Sequence, residues 1–290
     1  MPILPDDTLV TPDERTLHCR HSGAVDADSV VVIVHGLGEH SGWYAELADQ
    51  LSAVGMASLA YDQHGHGKSP GRRGDAPTLQ TLVDDIGVAV ASAQENWPEA
   101  EVVLLGHSMG GHLVLRYLMQ QSGTTVRHAI VTNPMILPKN PPTKPQAFAA
   151  WLTSKVIPRV RFSADIEPTE LTTDTEMLRE LANDPLTHEQ LSIGIGGALM
   201  SSGHELRERA SEISQETLFL LGGQDTLCDE DSTQRMIEAM PSATRVVFED
   251  AKHSLLIEEQ RELVYEAMLD WFRQTNLPTK KKLTNVVNAE

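Results

Sequence analysis

The run EVVLLGHSMGGHLVLRYLM at residues 101–119 constrains the fold of this chain more than any other feature. It opens with four consecutive apolar residues, 102–105, which is typical of a strand buried on both faces. After Gly106-His107-Ser108-Met109-Gly110 it continues at once with the apolar spacing of a helix. A buried strand that turns directly into a helix predicts a parallel sheet covered by helices.

The same alternation of short apolar runs and helical stretches continues along the chain. The apolar runs predict strands at 16–20, 30–34, 57–61, 102–105, 129–132, 217–221 and 245–248. The helical spacing predicts helices at 43–54, 79–96, 113–121, 232–239 and 261–273. This order is typical of an α/β fold, in which ligand chemistry collects in the loops at the carboxyl ends of the strands.

Composition narrows the class of protein. The 290 residues carry a formal net charge of −18, which argues against a nucleic-acid partner. Cys19 and Cys228 are the only cysteines, too few for a disulfide framework, and they suit a reducing compartment. With neither a basic and apolar leader nor a long apolar run, we expect a cytoplasmic protein, peripheral at the membrane at most.

One segment breaks the α/β rhythm. Residues 134–209 open with five prolines, contain helical patches and show no convincing strand. We therefore predict a catalytic domain formed by residues 1–133 and 210–277, a cap inserted at 134–209, and a flexible tail at 278–290.

The turn after the predicted strand at 102–105 predicts a nucleophile. Ser108 lies in a G-x-S-x-G pattern between a strand and a helix, where a strained turn projects the hydroxyl above the sheet. A serine needs a histidine to take its proton and a carboxylate to orient that histidine. Asp225 and His253 follow in that order, each just beyond a later strand, and Asp229 and Asp250 stand as alternative acids.

An acyl-transfer site also needs donors for the oxyanion. Backbone N–H groups after the nucleophile and after the early strand usually provide them, which indicates Met109 and Leu37. His64 and His66 have the spacing of metal ligands, but no further ligand follows at short range, so we expect no metal and no cofactor.

Several blocks resemble the monoacylglycerol lipase and lysophospholipase group of the α/β-hydrolases, which includes serine aminopeptidase S33-like enzymes. The matching blocks are HGLGEHSG (35–42), YDQHGHGKS (61–69), GHSMGG (106–111), NDPL (183–186) and the pair Asp225 and His253. The resemblance implies an α/β-hydrolase fold, a Ser108–Asp225–His253 triad, an oxyanion hole at Leu37 and Met109, and a mobile apolar cap. It implies cleavage of glycerol monoesters through an acyl-enzyme.

The substrate pocket is expected to include residues from both the core and the cap. Glu39, His107 and Trp43 are predicted on the core side, where Trp43 stands in place of an arginine of the mammalian enzymes. Phe148 and Trp151 are predicted on the cap side, within a stretch, 139–162, that carries five cations and no acid. Such a stretch either packs on the core or makes transient contact with a micelle or membrane.

Other functions share the same residues. A broader carboxylesterase, a lysophospholipase, a thioesterase or an S33-like aminopeptidase would use the same triad with a different pocket. A non-catalytic binder of acyl ligands would typically lack a triad member, and all three are present. A lipid ester is the expected small-molecule substrate, and the sequence leaves the oligomeric state open.

Overall fold

An eight-stranded sheet forms the centre of the molecule, in a computed structural model that describes residues 6–121, 125–141, 143, 152–153 and 156–277. The strands are β1 Asp6–Val10, β2 Thr16–Ser22, β3 Ser29–Val34, β4 Ala57–Tyr61, β5 Glu101–His107, β6 His128–Thr132, β7 Arg161–Ser163, β8 Gln190–Ser192, β9 Glu216–Gly222 and β10 Ala243–Phe248. The sheet order is β1-β2-β4-β3-β5-β6-β9-β10. The six neighbouring strands β4, β3, β5, β6, β9 and β10 are parallel to one another. Strands β1 and β2 form an antiparallel edge beside β4. The predicted α/β-hydrolase fold is confirmed.

Helices cover both faces of this sheet. They are α1 Ala45–Ala53, α2 Leu79–Asn96, α3 Met109–Gln120, α4 Pro168–Leu171, α5 Thr175–Asn183, α6 Ile193–Glu208, α7 Glu230–Ala239 and α8 Arg261–Gln274. One face packs against α2, α3, α6 and α7, and the other against α1, α5 and α8. Helix α2 begins after Thr78, whose hydroxyl accepts a hydrogen bond from Thr81 N at 3.0 Å, and ends just before Pro98.

Strand β3 shows why the apolar run predicts a central position. Val30, Val32 and Val34 point into one hydrophobic core, whereas Val31 and Ile33 point into the other. All five are buried, because the strand lies between β4 and β5 with helices on both sides. The parallel pairing brings the carboxyl ends of β3, β5, β6, β9 and β10 to one edge, where the predicted site residues follow.

The inserted segment contains strands that its sequence does not reveal. The expectation of no strand is wrong, because β7 and β8 pair as a two-stranded antiparallel sheet. Each strand has only three residues, too few for an alternating pattern to show. Phe148 and Trp151 lie outside the described residues, as does the predicted tail, 278–290.

Helix α6 belongs to the insertion in sequence but to the core in packing. Ile195, Leu199 and Leu206 are buried in the same hydrophobic cluster as residues of α2 and α3. Residues 134–209 are the proposed cap, and residues 1–133 and 210–277 are the proposed catalytic domain. Through α6, the proposed cap contributes side chains to the hydrophobic core.

None of the helices in the described ranges combines the length and the apolar character needed to cross a bilayer.

Candidate active site

Ser108 lies in a strained turn between β5 and α3. Its backbone has φ 51° and ψ −116°, a left-handed value of φ that costs a non-glycine residue free energy. A Cβ at Gly110 would lie 2.0 Å from the Val34 carbonyl oxygen, so only glycine allows α3 to start this close to β3. The G-x-S-x-G pattern therefore meets a steric requirement as well as a chemical one.

Backbone hydrogen bonds hold the strained turn in place. Ser108 N donates to Thr132 O at 3.0 Å. Ser108 O accepts from His112 N at 3.1 Å and from Met135 N at 3.0 Å. The turn is thus fixed from α3 and from the segment that follows β6, which stabilises a conformation that the residue alone would not adopt.

Asp225 and His253 form a close pair beside this turn. Asp225 follows β9, His253 follows β10, and Asp225 Oδ2 lies 2.9 Å from His253 Nδ1. Asp225 Oδ1 accepts from Leu227 N at 2.8 Å and from Cys228 N at 3.2 Å. Burial opposes ionisation of this carboxyl, but the positive charge and hydrogen bond of His253 and the two amides outweigh it and lower its pKa.

The two alternative acids take other places. Asp229 caps α7, where its carboxylate accepts from Ser232 N at 2.9 Å. Asp250 is exposed. Among these three carboxylates, the structure brings only Asp225 to His253.

Asn133 holds the histidine loop and was not predicted from the sequence. Its Nδ2 donates to His253 O at 2.6 Å, and its Oδ1 accepts from Gly222 N at 2.9 Å. Its backbone has φ 40°, a region that asparagine tolerates better than most residues. The only sequence signal was its place directly after β6, at the same edge as the other site residues.

Cys228 lies beside the pair. Its Sγ is 3.9 Å from His253 Nδ1 and donates to Asn133 O at 3.5 Å. Asp225, Cys228 and His253 together have the spacing of a metal-binding group. Burial and the neighbouring carboxylate raise the pKa of the Cys228 thiol well above its usual value, which disfavours the thiolate that a metal would require.

Leu37 and Met109 place two backbone amides near Ser108. Leu37 lines the same cavity as Ser108, and Met109 is the first residue of α3, where amides lack a partner within the helix. In the described part of the chain neither amide donates a hydrogen bond to protein. Their use as oxyanion donors stays a prediction.

Glu39 and His107 are buried together behind the Leu37 loop. Glu39 Oε2 accepts from Gly36 N at 2.8 Å and from the Tyr44 hydroxyl at 2.7 Å, and Glu39 Oε1 lies 3.4 Å from His107 Nε2. Burial lowers the pKa of His107 to about 4, so the ring is neutral at pH 7. Both residues line the cavity, but these contacts commit most of the Glu39 acceptors to the loop itself.

The loop at 61–69 supports the chain on both sides of Leu37. Asp62 accepts from Ser41 N at 2.7 Å and Lys68 N at 2.7 Å. Gln63 N donates to His35 Nε2 at 2.9 Å. Burial lowers the pKa values of His64 and His66, and neither residue joins the cluster with metal-ligand spacing found among the described residues.

A cavity of about 480 Å³ opens over Ser108 and His253. Its volume is typical of a site for a small organic ligand. The apolar part of its lining, the apolar wall, comprises Ile166, Pro168, Leu171, Leu181 and Ala182. Leu171 O accepts a hydrogen bond at 2.8 Å from the backbone of Ser254, next to His253. The wall near the Leu37 loop is polar and comprises Asp184, Thr187, His188, Glu189 and Gln190. Trp43 lies in the same lining, and its contact with substrate stays a prediction.

The polar wall is attached to the Leu37 loop by hydrogen bonds. His188 N donates to Gly38 O at 3.1 Å, and His40 Nε2 lies 2.6 Å from Asp184 Oδ2. The inserted segment and the loop that carries Leu37 therefore form one continuous surface.

Residues 25–260 match the family described as serine aminopeptidase, S33. The chain belongs to this family. The S33-family chain is 31% identical over 255 residues to the monoglyceride lipase of Rattus norvegicus, covering 85% of this chain and 82% of that protein. It is 28% identical over 270 residues to an uncharacterized abhydrolase domain-containing protein of Dictyostelium discoideum, of which it spans 28% of the length.

The S33-family chain also has solved structural neighbours. The crystal structure of Paleococcus ferrophilus monoacylglycerol lipase superposes with a TM-score of 0.81 at 25% identity, covering 89% of this chain and 98% of that one. Family, relatives and structure agree on a hydrolase of the lipase and esterase type.

Proposed function

We propose that this chain is a serine ester hydrolase that cleaves monoacylglycerols to glycerol and free fatty acid. The observation that carries the proposal is the cavity, which Ser108 and His253 line together with the apolar wall and the polar wall. An acyl chain suits the first wall and a hydroxylated head group suits the second. The monoglyceride lipase and monoacylglycerol lipase named above are similar over most of this chain, which supports the same substrate class.

The proposed chemistry begins with Ser108. His253 accepts the Ser108 hydroxyl proton at Nε2 as the oxygen attacks the ester carbonyl. Asp225 accepts the hydrogen bond from His253 Nδ1, which fixes the tautomer that leaves Nε2 free to accept. The amides of Leu37 and Met109 stabilise the oxyanion.

The second half of the reaction releases the acyl chain. The histidinium donates its proton to the departing glycerol oxygen, which leaves an acyl-enzyme on Ser108. Water then attacks the acyl-enzyme while His253, again as general base, takes its proton. As the bond from the acyl carbon to Ser108 Oγ breaks, His253 returns that proton to Ser108 Oγ and the fatty acid is released.

The charges on the polar wall favour a neutral head group. Glu39, Asp184 and Glu189 line the cavity, and no lysine or arginine does so among the described residues. The hydrogen bond from His40, among other contacts, lowers the pKa of Asp184 against the effect of burial, so this carboxylate is ionised at pH 7. An anionic lysophospholipid would meet repulsion here, whereas glycerol would not.

We also propose that the cap makes peripheral contact with lipid surfaces. The residues that support this form an exposed apolar segment, in which each side chain is between 45% and 75% exposed; they are Leu152, Val156, Ile157, Val160 and Phe162. Phe162 pairs with Leu191, next to the cavity residue Gln190. An exposed apolar patch of this kind is typical of a surface that docks on a micelle or membrane.

A panel of purified substrates tests the function. Hydrolysis is measured on monoacylglycerols, diacylglycerols, triacylglycerols, an anionic and a zwitterionic lysophospholipid, an acyl thioester and an aminoacyl amide, with Ser108→Ala as the matched control. We expect monoacylglycerols to give the highest kcat/KM and Ser108→Ala to lower it by about 10⁴-fold or more. Preference for another class would overturn the substrate assignment, and hydrolysis undiminished in Ser108→Ala would overturn the mechanism. Binding of fatty acid with no hydrolysis of any ester would favour a non-catalytic acyl binder.

A further inference from the structure

His112 lies one turn after Ser108 on α3 and is fully buried. Both ring nitrogens have partners: Nδ1 lies 2.8 Å from Met135 O, and Nε2 lies 2.8 Å from Ser202 Oγ. Met135 follows β6, and Ser202 lies on α6 in the inserted segment. The ring therefore joins three parts of the chain that are distant in sequence.

The partners fix the tautomer of the ring. A carbonyl oxygen can only accept a hydrogen bond, so the proton is on Nδ1 and is donated to Met135 O. Nε2 then accepts, and the Ser202 hydroxyl donates to it. Burial, with Arg116 nearby, lowers the pKa of His112 to about 4, which agrees with a neutral ring.

Met135 connects this ring to the nucleophile turn. Met135 N donates to Ser108 O at 3.0 Å, while Met135 O accepts from His112. The His112 backbone N donates to the same Ser108 oxygen at 3.1 Å. His112 thus supports the strained Ser108 peptide twice, once from its backbone and once through Met135.

Helix α6 fixes the other side of the ring. A Cβ at Gly203 would lie 1.9 Å from Ile136 O, so α6 rests directly on the backbone that follows Met135. Arg116 donates to Ser202 Oγ at 3.2 Å and to Glu205 at 2.6 Å, which anchors α6 to α3 beside His112. These contacts leave the Ser202 hydroxyl little freedom to move away from Nε2.

We propose that His112 is a positioning residue for the reaction, which holds the Ser108 turn through Met135 and ties it to helix α6 through Ser202. The ring touches neither substrate nor the Ser108 hydroxyl, so its effect is on the placement of the nucleophile. This inference rests on the proposed role of Ser108.

Two amide substitutions separate the two contacts of the ring. In His112→Asn the side-chain amide takes the place of Nδ1 and can still donate to Met135 O, whereas in His112→Gln it reaches the place of Nε2. We expect His112→Ala and His112→Gln to lower kcat by about 10- to 100-fold with KM little changed. A displaced nucleophile reduces stabilisation of the transition state more than it reduces binding of the substrate. His112→Asn should recover most of kcat.

A second readout is the rate at which a fluorophosphonate labels Ser108, which requires the placed nucleophile but no lipid. It should fall in parallel with kcat. The matched control is Leu118→Ala, which removes a buried side chain of α3 away from the Ser108 turn. All variants are compared well below their melting temperatures.

The outcomes separate this inference from the proposed function. If the wild-type chain is not labelled at Ser108, the proposed function fails first. If it is labelled and His112→Ala keeps its labelling rate and kcat, His112 is not a positioning residue. The same conclusion follows if Leu118→Ala loses as much kcat as His112→Ala for an equal fall in melting temperature, or if His112→Gln recovers kcat as well as His112→Asn.

Discussion

At the scale of single residues, Asp225 shows how a buried carboxylate is kept ionised. Its two oxygens divide their partners: Oδ2 faces His253, and Oδ1 accepts from the amides of Leu227 and Cys228. The lowered pKa follows from these contacts despite burial. A negative charge held in one orientation can fix one histidine tautomer and stabilise the imidazolium that forms during the reaction.

Replacing this carboxylate by an amide tests that role. Asp225→Asn keeps the shape of the side chain but removes the charge, and we expect kcat to fall by on the order of 10⁴-fold. The control is Asp250→Asn, which changes an exposed carboxylate in the loop that carries His253 and should leave kcat within twofold. A loss of kcat in Asp250→Asn with none in Asp225→Asn would contradict the assignment of the acid.

The candidate site residues that can be proposed from the sequence are those with a local signature. Ser108 has its flanking glycines, and Asp225 and His253 each follow an apolar strand. Asn133 and His112 have no such signature, because their contacts reach residues far along the chain: His112 meets Met135 and Ser202, 23 and 90 positions away. Roles of this kind become visible only when the elements are packed.

At the scale of elements, most strands and helices were predictable, and the exceptions have physical causes. Long elements such as α2 show a full apolar period over 18 residues, so 79–96 is recovered with its bounds. Helix α3 begins at Met109, four residues before its predicted start, because two glycines hide the helical pattern. Strands β7 and β8 are too short to show any period, and β1 is an edge strand with mostly exposed residues.

The five cations of residues 139–162 suggest that charge helps the proposed cap to attach to lipid, and the contacts of these residues change that expectation. Of the five predicted cations, Lys144 and Lys155 lie outside the described residues. The other three contact protein groups: Arg159 meets Asp75 at 3.0 Å, Arg161 meets Arg73 O at 3.1 Å, and Lys139 meets Asp225 O at 3.1 Å. Lipid docking is therefore expected to depend more on the apolar side chains than on charge.

Substituting two of these apolar residues measures how much they contribute to membrane attachment. Each partly inserted valine contributes on the order of 1 kcal/mol to membrane attachment, so Val156→Glu with Val160→Glu should weaken binding to vesicles by about tenfold or more. Hydrolysis of micellar monoacylglycerol should fall with it, while hydrolysis of a short water-soluble ester should not. Sedimentation with vesicles and both assays check this.

Val25→Glu is the matched control for that substitution. Val25 is 86% exposed, but it lies between β2 and β3, at the edge of the sheet opposite the carboxyl ends of the parallel strands. Its substitution should change neither binding nor activity. Equal losses on both esters in the double variant would show that the valines support the cap rather than a lipid contact.

At the scale of the whole molecule, buried histidines make the fold sensitive to acid. Burial lowers the pKa values of His107 and His112 to about 4, whereas an unfolded chain titrates them near 6.5. The unfolded state therefore takes up protons first, and the free energy of unfolding falls as the pH decreases from 6.5 towards 4. His18, paired with Asp62 and Asp6, has a raised pKa and acts with the opposite sign.

His112 allows one part of this dependence to be measured. The charged group that acts on it is Arg116 on α3, which lowers the pKa in addition to burial and is itself paired with Glu205 on α6. By linkage, the buried neutral ring costs about 2 kcal/mol of stability at pH 5 relative to pH 7.5. Unfolding of His112→Asn, followed in denaturant at both pH values, should show a pH dependence smaller by that amount. An unchanged dependence would mean that folding does not lower the pKa of the His112 ring.

Helix α6 limits how far the proposed cap can be replaced by the cap of a related protein. The helix lies within the proposed cap in sequence, yet it belongs to the hydrophobic cluster of the core and rests on the backbone next to the Ser108 turn. The proposed cap and the proposed catalytic domain therefore share one hydrophobic core and are not independent structural units. A chimera that carries the cap of a relative should therefore retain residues 193–208 of this chain. A foreign helix at that place would have to supply both the buried apolar surface of α6 and the contact of Ser202 with His112.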